Sequence, residues 1–316
     1  MTIFPVARPS AVEEGGPILV IDIGGTHIKF GYVRDGRPLA YRKHVPTDAL
    51  RSGDAIDALS RIVTEVAAEA GLKPASVVAA VPGFIDTDHD RVLHAENVAG
   101  LNGRRLGKEL GSRLGCRVLL ERDAVLALMG ETRAGAAQHA DHVLGIFFGT
   151  GIGAAFMDGG KPFRGAGWAL EIGLMPFVAD GALEAGSQPD CLETHASGRA
   201  LKQIAGRFDV PIERVFSVPE ADPALHEALV HFVRHQALAV GMAAAMISPA
   251  TILIGGGVVE MAGYPRAMLH ALIASYVPAA RTGRPLDLRW CQYGWDAVLY
   301  GASSIVSENQ KQTIER

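Results

Sequence analysis

The sequence predicts an α/β protein made of two similar halves. Short β-branched runs alternate along the chain with longer stretches of helical apolar spacing. A strand–glycine turn–strand arrangement over 18–33 returns over 142–157. No low-complexity segment separates the halves. A length of 316 residues corresponds to about two domains at roughly 150 residues each.

Residues 1–17 read as a flexible tail without periodicity. PILVID (17–22) and HIKFGYV (27–33) are two strands around Gly24 and Gly25, and a third strand near 39–45 follows the Asp35-Gly36 turn. Ile56, Leu59, Ile62, Val63 and Val66 fall at helical spacing, which predicts a helix over 54–70. SVVAAVPG (76–83) is a short buried strand stopped by Pro and Gly. A helix near 103–113, the strand CRVLLE (116–121) and a helix from Asp123 to about 134 come next. HVLGIFFGTGIGAAFM (142–157) supplies two further strands, and a Gly-rich loop covers 158–190. Helices near 192–206 and 223–247, the strand TILIGGG (251–257) and a helix over 264–278 follow. The strand LDLRW (286–290) and a last helix over 296–307 complete the chain. The implied domains are a small lobe, 18–121 with 295–316, and a large lobe, 122–294.

Composition excludes several classes. Apolar residues at 48% and charged residues at 20% are ordinary for a globular chain. A net charge of −4, from 30 basic and 34 acidic residues, offers no basic excess for a phosphate backbone, so no nucleic-acid partner is expected. Cys116, Cys191 and Cys291 form neither a disulfide framework nor a CxxC pattern, which suits a reducing cytoplasm. The start lacks the pattern of a signal peptide. The longest apolar run, 237–247, is short of the ~20 residues that span a bilayer, so no membrane partner is expected. Glu227, His231 and His235 at helical spacing read as a solvated helix face, and His139 and His142 as surface residues.

The glycine loops narrow the chemistry. The GxxxxGK[ST] motif is absent; Gly103, Gly107 and Lys108 come nearest, with the wrong spacing and no hydroxyl. Gly149–Ala154 matches GxGxxA, but strand and loop follow where a dinucleotide site needs a helix. The remaining reading is a hairpin turn whose backbone N–H groups converge on phosphate oxygens. Asp22–Lys29 (DIGGTHIK) has that composition: Gly24 and Gly25 let backbone approach a phosphate, Thr26 adds a hydroxyl, Lys29 a cation, and Asp22 can hold hydrated Mg²⁺. An ordinary Gly-Gly hairpin is the plain alternative. Taken together, DIGGTHIK, FGTGIGAAF and ILIGGGV have the order and spacing of an actin-like ATPase. That fold is ribonuclease H-like, with two α/β lobes and a cleft between them.

At this point the chain resembles the ROK family of bacterial sugar kinases and repressors. DIGGTHIK (22–29), VPGFID (81–86), ERDAVLALMGE (121–131), FGTGIGAAF (148–156), LEIGLMP (170–176), CLETHASGRAL (191–201) and ILIGGGV (252–258) stand in family order over about 18–307. The resemblance implies an ATP- and Mg²⁺-dependent kinase that phosphorylates a hexose on its 6-hydroxyl. Asp123 would be the general base and would also contact the sugar. Gly83, Asn97, Glu171 and Glu193 would hold the sugar. Gly149, Thr150 and Gly151 would face the ATP phosphates, and Gly255, Gly256 and Gly257 the nucleoside. A homodimer or homotetramer is implied as well.

Two departures from the family pattern bear on the substrate. Arg122 stands where the family usually has the Asn that binds a sugar hydroxyl, replacing a donor and acceptor by a donor-only cation. The allose kinase subgroup also tolerates Arg there. The runs YGWDAVLYGASSIV and GYPRAML are similar to that subgroup, so allose is the first substrate expected, with glucose, N-acetylhexosamines and fructose as the others. The family usually carries a structural zinc held by one His and three Cys. Here Leu174 takes the His position and only Cys191 of the thiols remains, so no structural zinc is expected and packing must hold the loop 178–190. A repressor of the family would carry a helix-turn-helix ahead of the first hairpin, and only 17 residues precede it here. An inactive sugar-sensing protein is the remaining alternative; retention of Asp22 and Asp123 favours the enzyme.

Overall fold

In the computed structural model, β1 (Ile18–Ile23) and β2 (His27–Arg34) form an antiparallel hairpin that β3 (Arg37–Pro46) extends. Residues 16–86, 90–95, 97–177, 190–217 and 222–314 are described. The chain divides into two units, Met1–Leu126 with Val298–Arg316, and Ala127–Ala297.

In the first unit, α1 (Ala55–Ala70) starts at Asp54, whose carboxylate accepts the Ile56 and Asp57 amides at 2.9 Å, and stops at Gly71 with φ 63°. β4 (Ser76–Val81) is buried at every residue and pairs parallel with β1, as its unbroken apolar run requires of a central strand. The hairpin of β5 (Phe84–Asp86) and β6 (Arg91–His94) is absent from the sequence reading; strands this short carry no usable alternation. α2 (Leu106–Leu114) leads into β7 (Arg117–Arg122), parallel to β4, so the sheet order is β3-β2-β1-β4-β7. Leu19, Ile21, Phe30, Tyr32, Ile56, Leu59 and Val77 are fully buried in this unit's core.

α3 (Asp123–Ala134) begins in the first unit and ends in the second. There β8 (Val143–Phe148) and β9 (Ile152–Asp158) form an antiparallel hairpin, flanked by the two-residue β10 (Lys161–Pro162). The single helix expected over 192–206 is two helices, α4 (Leu192–Ala196) and α5 (Gly198–Arg207). Ser197 divides them because its backbone is extended (ψ 171°) and its hydroxyl accepts the Ala200 amide as an N-cap.

α6 (Pro223–Ile247) starts on Asp222, which accepts the Ala224 and Leu225 amides. By length and composition α6 could cross a membrane, although no apolar run of the sequence was long enough to suggest it. In this fold its Leu225, Leu229, Phe232, Val233 and Val240 are core residues. β11 (Thr251–Gly255) pairs parallel with β8, then α7 (Arg266–Tyr276) and α8 (Ala279–Thr282) lead to β12 (Asp287–Trp290), parallel to β11. α9 (Asp296–Ile314) is longer than the sequence reading and returns to the first unit. The second sheet, β10-β9-β8-β11-β12, repeats the strand order and sense of the first.

One surface expectation fails. His139 and His142 are exposed, as expected. His235 instead lies half-buried, its ring 5.0 Å from Phe177 and 5.1 Å from His195, and burial lowers its pKa. The tail up to residue 15 and loop residues 178–189 lie outside the described residues.

Candidate active site

Each unit places its candidate residues at the carboxyl ends of its parallel strands, where α/β sheets offer backbone and loops to ligands. In the first unit Asp22, one residue before the end of β1, stands opposite Ala80 of β4, and Val81 of β4 stands opposite Arg122 at the end of β7. Asp22, Gly83 and Asp123 therefore leave neighbouring strands along one sheet edge. Asp22 Oδ2 lies 3.4 Å from Lys29 Nζ, its cross-strand partner. Asp123 opens α3 with an exposed side chain, and its Oδ1 accepts the Ala124 amide at 2.7 Å. Arg122 and Glu121 beside it are buried. The Arg122 amide donates to Glu121 Oε1 at 3.0 Å.

The first glycine turn is clamped from one side. Thr47 Oγ1 donates to Gly24 O at 2.7 Å, Arg51 Nη2 to Gly25 O at 3.2 Å, and the Thr47 amide to Thr26 O at 3.0 Å. The Gly24 amide closes the hairpin onto His27 O at 3.1 Å, which leaves the Gly25 and Thr26 amides as the turn's candidates for an anion. Asn97 packs over it, its side chain 3.2 Å from where a Gly25 Cβ would lie, so the structure brings Asn97 to the first glycine turn. Thr47 and Arg51 were not foreseen, since nothing in their local sequence marks them.

The second turn is clamped in the same manner by a different element. The Gly198 amide donates to Gly149 O at 2.8 Å, the Arg199 amide to Thr150 O at 3.2 Å, and the Gly149 amide to Gly151 O at 3.0 Å. The donors at 198 and 199 are the first residues of α5, whose amides have no partner within the helix. Glu193, on α4, accepts the Ile152 amide on Oε2 at 2.8 Å and pairs with Arg199 through Oε1. Glu193 Oε2 is also 3.2 Å from the position of a Gly173 Cβ, in the short turn (Ile172–Leu174) that follows Glu171. Glu171 and Glu193 thus share one neighbourhood with the 149–151 turn. Leu170, just before Glu171, holds a left-handed backbone (φ 63°), which costs a branched residue about 1–2 kcal/mol.

Gly255, Gly256 and Gly257 follow β11 beside β8. Gly256 has φ 99°, and a Cβ there would lie 2.4 Å from Phe148 O, directly before the 149–151 turn. Gly256→Ala is therefore expected to lower thermal stability by several degrees and to weaken nucleotide binding at least about tenfold, read by melting temperature and by titration of an ATP analogue. Gly83 is under the same constraint in the first unit, with φ 99° and His94 O 2.3 Å from a Cβ.

Among the described residues no group of three His, Cys, Asp or Glu could hold a metal ion. Leu174 is half-exposed and Cys191 precedes α4 as its N-cap. Asp190 is held below the usual carboxylate range by hydrogen bonds from Thr194 and then His195.

A family model described as ROK family matches residues 18–309. The chain is 28% identical over 278 residues to N-acetyl-D-glucosamine kinase of Escherichia coli, covering 83% of this chain and 91% of that protein. Among solved structures it resembles a ROK family glucokinase from Streptomyces griseus in complex with glucose and AMPPNP. The TM-score is 0.78 at 27% identity, over 92% of this chain and 99% of that one. A ROK hexokinase from Thermus thermophilus matches with a TM-score of 0.72 at 28% identity, over 90% of this chain and 96% of that one.

Proposed function

Since the chain belongs to the ROK family and is a sugar phosphotransferase with the family's actin-like two-unit fold, we propose that it transfers the γ-phosphoryl group of ATP to the 6-hydroxyl of a hexose. The observation that carries this reading is the alignment of Asp22, Gly83 and Asp123 on neighbouring strand ends of one sheet.

Asp123 is the general base. Its exposed carboxylate takes the hydroxyl proton as that oxygen attacks the γ-phosphorus and the bond to the ADP oxygen breaks. The 24–26 and 149–151 turns bind phosphate oxygens through backbone amides, and Gly255, Gly256 and Gly257 line the nucleoside side. Asp22, whose carboxylate also pairs with Lys29, could hold a hydrated Mg²⁺, which would supply neutralising charge to the ATP phosphates. Gly83, Asn97, Arg122, Glu171 and Glu193 hold the sugar hydroxyls. Three free cysteines support a reducing, cytoplasmic setting.

Arg122 supports allose as the first substrate, because a buried donor-only cation beside the base selects a different hydroxyl pattern from a neutral amide. Glucose, N-acetylglucosamine, N-acetylmannosamine and fructose complete the test set. In a coupled ADP-release assay with ATP and Mg²⁺, one of these sugars is expected to give turnovers of about 1–100 s⁻¹. Thermal shifts with a sugar but no turnover on any would replace the kinase reading by a sugar sensor.

A further inference from the structure

In the second unit a charge stands in a place unfavourable to the binding of phosphate at the 149–151 turn. The Glu193 carboxylate sits directly behind the 149–151 turn, and a Cβ on Gly151 would lie 2.2 Å from Oε2. Its side chain is 17% exposed, so water screens it little. An anionic group in that position repels the phosphates that the amides of Thr150 and Gly151 attract. Substituting it is restricted from the other side as well, because the Ile152 amide depends on Oε2 as its acceptor.

We propose that Arg199 is a positioning residue for phosphoryl transfer, neutralising Glu193 so that the 149–151 turn stays attractive to ATP phosphates. This rests on the kinase reading above. Arg199 acts through two separate groups. Its backbone amide donates to Thr150 O at 3.2 Å, which fixes that carbonyl and leaves the Thr150 and Gly151 amides for the phosphates. Its guanidinium pairs with Glu193 Oε1 and cancels the charge behind the turn. The Glu193 carboxylate is thereby divided between one amide and one cation, and keeps a single orientation. Ser197 makes this possible: by ending α4 and capping α5, it brings residues 198 and 199 to the turn as unpaired helix-start donors.

The test is binding of AMPPNP with Mg²⁺ by calorimetry, which needs neither sugar nor turnover. Arg199→Met keeps the backbone amide and the apolar stem and removes the charge. It is expected to weaken AMPPNP about tenfold with the melting temperature within a few degrees of the parent. Arg199→Lys restores most of the affinity. Adding Glu193→Gln to Arg199→Met also restores affinity for AMPPNP, because no charge is left to neutralise. Unchanged affinity in Arg199→Met overturns the proposal. So does a loss that neither Lys nor the double variant recovers, which marks a merely structural contact. Failure of the parent protein to bind AMPPNP overturns the kinase reading itself, a separate and distinguishable result.

Discussion

Asp123→Asn is expected to lower kcat by about 10²–10⁴-fold, the contribution typical of a positioned general base. The effect should be confined to chemistry. An Asn Oδ1 can accept the Ala124 amide as the carboxylate does at 2.7 Å, so the start of α3 is kept. The side chain is exposed and holds no core contact, so melting temperature and sugar affinity should stay at parental values. The comparison needs kcat from the coupled assay, KM for the sugar, and a thermal shift on the same preparations. A variant within about threefold of the parental rate, outside the range expected for a base, would remove Asp123 from that role. A variant that loses sugar affinity along with rate would make Asp123 chiefly a binding residue.

The largest effect on stability is expected from Glu131→Ala. Glu131 lies on α3 with no solvent exposure, yet it carries a carboxylate. Oε1 accepts the Gln292 and Tyr293 amides at 2.8 Å each, and Oε2 accepts the Ala136 amide at 2.9 Å. It thus ties the end of α3 to the segment after β12. Truncation removes the acceptor of three partly buried N–H groups, each costing up to about 1–3 kcal/mol where water does not replace it, and leaves a cavity besides. A loss of about 3–5 kcal/mol is expected, measured by urea unfolding. Glu131→Gln keeps an acceptor oxygen on one arm and should lose less. A loss under about 1 kcal/mol in Glu131→Ala would mean that the chain around 292–293 finds other partners.

These two residues show what the sequence makes legible. Asp123 is visible because it stands at a strand-to-helix junction inside a motif. Glu131 is not, since a glutamate within a helix reads as a solvated residue until its partners, far along the chain, are seen. The two glycine hairpins are legible for a local reason: the glycines and the alternating runs around them are contiguous. The break at Ser197 is capped locally by its own hydroxyl, but the bond from Gly198 to Gly149 that accompanies it has a partner outside any window around residue 197. His235 fits a polar helix face by spacing, and only Phe177 and His195 from other segments enclose it. Long-range partners, rather than local propensity, account for what the reading misses.

The two clamped turns also say something about how such a protein can change over time. In each, the groups proposed to meet an anion are backbone amides, and no substitution can delete an amide except one to proline. On the proposed kinase reading, recognition of phosphate would therefore be insulated from ordinary point mutation at the turns themselves. Its weak points are the outside donors: Thr47 and Arg51 for one turn, and the start of α5 for the other. Two repeated sheets that keep the same turn but recruit different clamps are what a doubled ancestral unit would leave behind after its copies drifted apart. Nucleotide handling would then be the inherited part of the molecule, and the sugar-facing loops the part free to diversify.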